Sequence, residues 1–195
     1  MKKSEIRKRY LEKKESLTDT EVQSSSQQIF ENFISEFDLK KDQKVHCFQS
    51  IPEKGEVDTS SFLNYFFENE IRVFVPKIVK GKLISLEITK ETPLIESAWG
   101  IKEPEGNEDC GVKDFDCIIT PLLYADQFGN RVGYGKGFYD RFFSDISPNA
   151  IKVGVSFFPA NEKVEDVSEF DVPLNYLVTP TEVLSFLGLE SKFTK

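Results

Sequence analysis

A chain of 195 residues with 39% hydrophobic residues is long enough to bury the core of an α/β domain, and we expect residues 1–195 to form one domain. The net charge of −8 argues against a general nucleic-acid-binding protein, which needs a basic face. No apolar run approaches the roughly 20 residues that span a bilayer, so no membrane partner is expected. The basic N-terminus has no apolar segment behind it, which predicts a cytoplasmic protein without a secretory signal.

The cysteines and the single histidine exclude several kinds of site. The chain has three cysteines, Cys47, Cys110 and Cys117. Because their number is odd and no Cys-x-x-Cys pair occurs, neither a disulfide framework nor a zinc site is predicted. His46 lies in the apolar run 45–48, where we expect a structural role. Serine- or cysteine-based catalysis that depends on a histidine is therefore not expected.

The first half of the chain shows two helices followed by alternating strands and helices. Residues 2–16 have the spacing of a helix, and Thr18 with Glu21 matches a capping box that begins a second helix over 22–37. The pattern then predicts a strand at 44–49, a helix from 58 or 59 to about 69, and strands at 72–76 and 82–89 joined by the turn at Lys80 and Gly81.

The second half begins with a loop-like stretch and continues the alternation. The predicted elements are a loop at 91–114, strands at 115–123, 151–157 and 176–179, and helices at 138–143 and 181–187. Alternation of this kind predicts a three-layer α/β/α fold with a mostly parallel, Rossmann-like sheet. Ligands of such folds bind beyond the carboxyl ends of the strands, and the glycine-rich segment near residue 133 is expected just past one such end.

This segment holds the strongest functional pattern. Gly133, Gly135 and Gly137 alternate with other residues, so their amides can form an anion-binding nest in front of a helix. Lys136 adds a cation suited to phosphate, and Asp140 could hold Mg²⁺. The segment is neither a Walker A motif nor a Rossmann fingerprint, because the glycine spacing differs. A tight turn with incidental charges is the alternative, but each glycine costs about 0.5–1 kcal/mol in a turn that needs none.

Residues 129–141 strongly resemble the signature of the 5-formyltetrahydrofolate cyclo-ligase family, also called methenyltetrahydrofolate synthetases. Weaker resemblances at 3–7, 55–59, 99–104 and 171–174 occur in the family's order, so the likeness covers nearly the whole chain. It implies a sheet of the NagB/RpiA/CoA transferase-like type.

The resemblance also implies roles for individual residues. It implies ATP contacts from Lys3, Ser4, Arg7, Arg131, Val132, Gly133, Tyr134, Gly135, Lys136, Gly137, Phe138 and Tyr139. It implies folate contacts from Ile51, Glu56, Trp99, Tyr134, Gly135, Lys136, Gly137 and Phe138. Asp140 and Asp171 are the implied Mg²⁺ ligands, and Lys136 and Arg7 the implied catalytic residues.

Several of these residues have simpler interpretations from the sequence alone. Lys3 and Arg7, four positions apart on one helix face, could be a solvated surface pair. Glu56 could pair with a helix dipole. Trp99, the only tryptophan, could pack in the core or stack on a pterin, and Asp171 could be a turn residue.

The reaction that the resemblance implies is the conversion of 5-formyltetrahydrofolate to 5,10-methenyltetrahydrofolate. ATP would phosphorylate the formyl oxygen, N10 would attack the formyl carbon, and ADP and phosphate would be released. We expect a monomer whose partners are the folate substrate and ATP, with Mg²⁺ as cofactor. Two other functions compete: a sugar-phosphate isomerase or coenzyme A transferase-like enzyme that uses a catalytic carboxylate without ATP, and a non-catalytic nucleotide or folate sensor.

Overall fold

The computed structural model describes residues 1–97, 100 and 102–188. The helices of these residues are α1 (Lys3–Glu15), α2 (Asp19–Glu36), α3 (Ser60–Glu68) and α4 (Phe138–Asp145), with a 3-10 turn at Pro52–Lys54. The strands are β1 (Lys44–Cys47), β2 (Arg72–Val79), β3 (Lys82–Ile88), β4 (Leu94–Glu96), β5 (Lys102–Pro104), β6 (Cys117–Pro121), β7 (Tyr124–Ala125), β8 (Arg131–Val132), β9 (Ile151–Val155), β10 (Tyr176–Val178) and β11 (Val183–Ser185).

A seven-stranded sheet in the order β11-β10-β9-β6-β1-β2-β3 forms the centre of the molecule. Its five inner strands are parallel, and an antiparallel strand closes each edge. The predicted turn at Lys80 and Gly81 joins β2 to β3, with Ile78 opposite Leu83. These findings confirm the predicted α/β class with its mostly parallel sheet.

Helices cover both faces of this sheet, and the alternation of side chains along the strands explains why. On β1, Val45 and Cys47 join the apolar cluster that contains Phe33 of α2 and Phe66 of α3. His46, between them, points to the opposite face. There Phe142 of α4 packs with the neighbouring aromatic residues. Burial on both faces gives these inner strands their near-continuous apolar character.

The two N-terminal helices form as the sequence predicts. The capping box at the start of α2 is present: the Glu21 backbone N–H donates to the Thr18 hydroxyl (3.3 Å), and the Thr18 N–H donates to the Glu21 carboxylate (2.8 Å). Helix α1 buries Ile6 and Tyr10 against the β7–β8 hairpin rather than against the central sheet. This position brings α1 to the glycine-rich segment, which follows β8.

The predicted C-terminal helix at 181–187 is wrong, because residues 183–185 at its centre form β11. Strand β11 pairs with β10, with Leu177 opposite Leu184. The Thr179 hydroxyl accepts the N–H of Glu182 (3.1 Å), and the Thr179 N–H donates to the Glu182 carbonyl (2.9 Å). The threonines that suggested a helix cap therefore close a hairpin turn, a role for which short hydroxyl residues are equally suited.

Two further predictions need correction. The loop predicted at 91–114 contains the short antiparallel pair β4 and β5, whose strands of three residues are too short to show a periodicity. The glycine-rich segment does not directly follow a strand of the main sheet. It follows β8, which pairs with β7 in a small separate hairpin, because residues 122–132 turn back after β6.

The structure also places the cysteines and the histidine. Cys47 and Cys117 are buried, Cys110 is exposed, and all three are free thiols. His46 is fully buried, and burial lowers its pKa to about 3, so the ring is neutral at pH 7. This agrees with the predicted structural role. Within the described residues, no helix combines the length and apolar character needed to cross a bilayer.

Candidate functional site

The glycine loop, residues 133–137, lies between β8 and α4. Gly135 and Gly137 have φ values of +86° and +65°, in the left-handed region that residues with a Cβ rarely adopt. Gly137 is the N-cap of α4, so the helix starts directly after the loop. The positive end of the α4 dipole therefore faces the loop, as the predicted anion site requires.

Helix α1 supports this loop through Arg7. The Arg7 Nε donates to the Gly133 carbonyl at 2.9 Å. A Cβ atom at position 135 would lie 3.2 Å from Arg7 Cζ, so the guanidinium group lies directly against the loop. Arg7 therefore contacts the glycine loop. The alternative interpretation, in which Lys3 and Arg7 form a solvated surface pair, does not describe its position.

Arg131 and Asp140 form a half-buried ion pair across the base of the loop. Arg131 donates to Asp140 Oδ1 at 2.6 Å, and its side chain is only 7% exposed. The same guanidinium donates to the Val172 carbonyl and lies 4.6 Å from the Phe143 ring centroid. Burial lowers the pKa of Arg131, while Asp140 acts in the opposite direction. Arg131 therefore holds the loop, α4 and the segment around 172 together.

The two predicted metal ligands each have one oxygen occupied. Asp140 Oδ1 accepts from Arg131 and from the Val172 N–H (3.3 Å), and Asp171 Oδ2 accepts from Lys3 and from the Ser168 N–H (2.6 Å). The second oxygen of each carboxylate has no hydrogen-bond partner within the described ranges. No group of three potential metal ligands occurs among these residues. The chemistry of each carboxylate suits Mg²⁺, which proteins commonly bind through one or two carboxylates together with substrate phosphates and water.

The remaining residues predicted to bind ATP differ in accessibility. Lys136 is exposed, and its ammonium group forms no hydrogen bond or ion pair with the other described residues, so it is available to a ligand. Ser4 is exposed near the start of α1. Val132 is buried beneath α1, so only its backbone can face a ligand. Phe138 lies under the Arg141 guanidinium, 5.3 Å from it, and the buried Tyr139 hydroxyl has no hydrogen-bond partner in the described structure.

On the other side of the loop, Tyr134 joins Glu56. The Tyr134 hydroxyl donates to Glu56 Oε1 at 3.3 Å, and Glu56 Oε2 accepts the Ile51 N–H at 3.0 Å. Burial raises the pKa of Glu56, and the Ile51 N–H and the nearby lysines oppose this effect. Three residues that the sequence assigned to folate binding therefore lie together.

A cleft opens beside Glu56, and we call it the strand-end cleft. It is open to solvent and is lined by Lys14, Phe48, Glu56, Val57, Pro121, Leu122, Leu123, Val155, Ser156, Phe157 and Phe158. Phe48, Leu122 and Ser156 directly follow β1, β6 and β9. The cleft thus lies beyond the carboxyl ends of three parallel strands, where the fold class predicts a ligand.

Lys14 is the charged residue of this cleft that the sequence assignment missed. Its side chain is almost completely buried at the cleft, and its Nζ donates to the Tyr134 hydroxyl at 2.7 Å. A signal was present: Lys3, Arg7, Tyr10 and Lys14 follow one another at spacings of four, three and four, which places all of them on one helix face.

Trp99, and Ile101 of the motif at 99–104, lie outside the described residues. Their neighbour Gly100 is described, and a Cβ atom there would lie 3.4 Å from a carboxylate oxygen of Glu53. The 3-10 turn that carries Glu53 leads directly to Glu56. The described part of this motif is therefore close to the same side of the site.

Known proteins resemble this chain along most of its length. The model of the 5-formyltetrahydrofolate cyclo-ligase family matches residues 1–180. The probable 5-formyltetrahydrofolate cyclo-ligase of Caenorhabditis elegans is 27% identical over 188 residues, covering 87% of this chain and 88% of that protein. The 5-formyltetrahydrofolate cyclo-ligase of Escherichia coli K12 is 30% identical over 135 residues, covering 66% and 74%.

Solved structures give the same result. The 5,10-methenyltetrahydrofolate synthetase of Aquifex aeolicus superimposes with a TM-score of 0.79 at 30% identity, covering 96% of this chain and 94% of that one. A protein of the same name from Mycoplasma pneumoniae shares the fold, with a TM-score of 0.69 at 22% identity and coverage of 92% and 99%. With the family model matched over residues 1–180, this chain belongs to the 5-formyltetrahydrofolate cyclo-ligase family.

Proposed function

We infer that this chain converts 5-formyltetrahydrofolate to 5,10-methenyltetrahydrofolate at the expense of ATP. The observation that carries the inference is the position of Tyr134. It lies in the glycine loop, next to the exposed Lys136, and its hydroxyl contacts Glu56 at the strand-end cleft. One residue therefore links an anion-binding loop to an apolar cleft with a carboxylate, which suits a triphosphate beside a folate.

On the ATP side, the glycine loop supplies amides and the N-terminus of α4, and Lys136 supplies a mobile cation. Lys3 and Arg7 add positive charge from α1. Asp140 and Asp171 would hold Mg²⁺, whose charge neutralises phosphate oxygens when it is bound with ATP. Asp171 could contribute the oxygen that has no partner while its other oxygen stays paired with Lys3. Phosphoryl transfer depends mainly on such positioning and charge stabilisation, so no side-chain nucleophile is needed.

On the folate side, the strand-end cleft offers apolar walls to the flat pterin ring. Glu56 accepts hydrogen bonds from the ring's donor groups, with Ile51 beside it, and Trp99 is a further folate contact that the family resemblance implies. A half-buried carboxylate that meets donors of matching geometry fixes the orientation of a ring whose other surroundings are apolar. This orientation directs the formyl group towards the glycine loop.

The chemical difficulty is that a formamide carbon is a weak electrophile and its oxygen a poor leaving group. Transfer of the γ-phosphoryl group from ATP to the formyl oxygen breaks the bond to ADP and activates the carbon. The N10 lone pair then forms a bond to this carbon, N10 loses its proton, and the C–O bond breaks to release phosphate. Because N10 belongs to the same molecule, the protein mainly has to hold the substrate in a folded conformation.

The cellular setting and assembly state belong to the same proposal. A folate and a nucleotide are small cytoplasmic metabolites, and the chain carries a net charge of −8 without a general basic face. We expect a cytoplasmic monomer in which residues 1–195 act as one domain, with no nucleic acid or membrane partner.

An absorbance assay tests the function directly. Purified protein is mixed with 5-formyltetrahydrofolate, ATP and Mg²⁺, and the methenyl product is followed in the near ultraviolet, with ATP and Mg²⁺ omitted in turn. We expect product only in the complete mixture. ATP hydrolysis that depends on 5-formyltetrahydrofolate would exclude the isomerase- or transferase-like alternative, which needs no ATP. Binding of either ligand with no product would favour the sensor.

The Glu56→Gln variant is expected to weaken folate binding more than turnover. Glutamine keeps the size of the side chain and an acceptor for the Ile51 N–H but removes the charge. Hydrogen bonds to a charged group contribute about 1.5–3 kcal/mol, so the KM for folate should rise about ten- to a hundredfold. Steady-state kinetics at fixed saturating ATP measure this effect. Glu68→Gln, at an exposed position of α3, is the control, and an unchanged KM in Glu56→Gln would reject the role.

A further inference from the structure

Lys14 is a buried cation at the strand-end cleft. Its side chain is 7% exposed, and its stem packs 3.9 Å from the position of a Cβ at Gly55. Burial lowers the pKa of Lys14, and the neighbouring Glu56 acts against this effect. A lysine is costly to bury without a partner, so its position in a ligand cleft calls for an explanation beyond packing.

The contacts of Lys14 lead to Glu56 through one hydroxyl group. Its Nζ donates to the Tyr134 hydroxyl (2.7 Å), which in turn donates to Glu56 Oε1 (3.3 Å). The ammonium group also lies 5.3 Å from the centroid of the Tyr134 ring. Because the hydroxyl accepts from Lys14, its own proton is directed to the carboxylate. Helix α1, the glycine loop and the 51–56 segment are thereby connected through three side chains, which we call the Lys14 relay.

Two cations and two hydroxyl groups face the Glu56 carboxylate. They are Lys14 from α1, Lys54 from the 3-10 turn, the hydroxyl of Tyr134 from the glycine loop and that of Tyr139 from α4. Among the two cations, Lys14 has the larger effect on the Glu56 carboxyl. Lys54 is exposed, so water screens its charge more strongly.

We propose that Lys14 is a positioning residue of the folate site, which holds the Glu56 carboxylate charged and correctly oriented through the hydroxyl of Tyr134. This rests on the proposed folate-binding function of the cleft. Through Tyr134, Lys14 is connected to Glu56 and not to Lys136. Replacing Lys14 should therefore change the affinity for folate. Affinity for ATP should be nearly independent of Lys14.

The test compares Lys14→Met, which keeps an apolar stem, with Lys14→Arg, which keeps charge and donor. Lys8→Met, at an exposed position of the same helix, is the control. The dissociation constant for 5-formyltetrahydrofolate is measured from pH 5 to 9 through the fluorescence of the single tryptophan, and KM values for folate and ATP are measured in the absorbance assay. Lys14→Met should weaken folate binding about tenfold or more, Lys14→Arg should restore most of it, and Lys8→Met should match the wild type.

The pH profile separates positioning from simple packing. Without the Lys14 charge, protonation of Glu56 occurs at higher pH, so the loss of folate affinity on acidification should begin at higher pH in Lys14→Met. Glu56→Gln should lack this acid limb, and Lys14→Arg should retain that of the wild type. Tyr134→Phe tests the relay in a variant that keeps the buried cation, and it should weaken folate binding as well.

The outcomes distinguish this proposal from the function on which it rests. Wild-type protein that binds folate but forms no product contradicts the catalytic function alone. A Lys14→Met protein with wild-type folate affinity, an unshifted acid limb, or an equal loss of ATP affinity overturns the role of Lys14. If Lys14→Met does not fold, Lys14→Arg and Tyr134→Phe test the proposal. Wild-type affinity in Tyr134→Phe, or a tenfold loss in Lys14→Arg with its acid limb displaced, would likewise contradict the proposal.

Discussion

Replacing Lys136 with alanine is expected to lower kcat about 10²–10³-fold, the usual effect of removing one group that stabilises transition-state charge. The residue is exposed, and its ammonium group forms no hydrogen bond or ion pair in the part of the chain that the structure describes. The free energy of unfolding should therefore change by less than about 0.5 kcal/mol. A large kinetic effect with an unchanged fold is the signature of a group that acts on the ligand.

Single-turnover measurements, with the protein in excess over 5-formyltetrahydrofolate and ATP saturating, test this prediction, because they report the chemical step without product release. Lys90→Ala removes another exposed lysine, outside the proposed site, and should behave like the wild type. Lys136→Arg keeps the charge and should retain more activity than the alanine variant. Turnover close to normal in Lys136→Ala would reject the catalytic role, and the phosphate site would then depend on the loop amides and α1.

Replacing Gly129 with alanine is expected to destabilise the protein by about 3 kcal/mol or more, among the larger effects of single substitutions. Gly129 has a φ of +81°, and a Cβ atom there would lie 2.8 Å from the Leu174 carbonyl oxygen and 2.9 Å from Phe186 Cδ2. The contact with a backbone oxygen cannot be relieved by a change of rotamer. The Leu174 N–H also donates to the Gly129 carbonyl (2.9 Å), so the two segments cannot separate without losing this bond.

Gly111→Ala provides a matched control. Gly111 has a similar φ of +73°, but an added Cβ would meet no atom within 4 Å. Its free energy of unfolding should fall by only about 1–2 kcal/mol, the cost of placing a residue with a side chain in the left-handed region. Urea unfolding of both variants measures the difference. Equal losses would show that conformational strain alone accounts for the effect, with no contribution from the close approach to Leu174.

The sequence predicted correctly those elements that are specified by a few neighbouring residues. The capping box of Thr18 and Glu21 lies within four positions, and both of its hydrogen bonds are present. The glycine loop was recognisable because alternating glycines have few other uses. The threonines near 180 show the limit of such signals. The same short side chains cap helices and close turns, and pairing with β10 decided between the two.

Lys14 shows the second limit. Its spacing from Arg7 predicts a shared helix face, but a lysine on a helix is ordinarily solvated. Only the packing of α1 against the β7–β8 hairpin buries Lys14 and places it beside Tyr134. The partners lie 120 residues apart in the chain, and no local pattern connects them.

The amino-acid order by itself determined the α/β class, the position of the glycine loop and the family to which the chain is similar, because propensity, capping and motif spacing act over short distances. The folded chain decided which strand ends surround the cleft, that Arg131 is paired with Asp140, and that Lys14 faces Glu56 through Tyr134. Such contacts arise from the packing of elements distant in the chain, so their geometry depends on the whole fold.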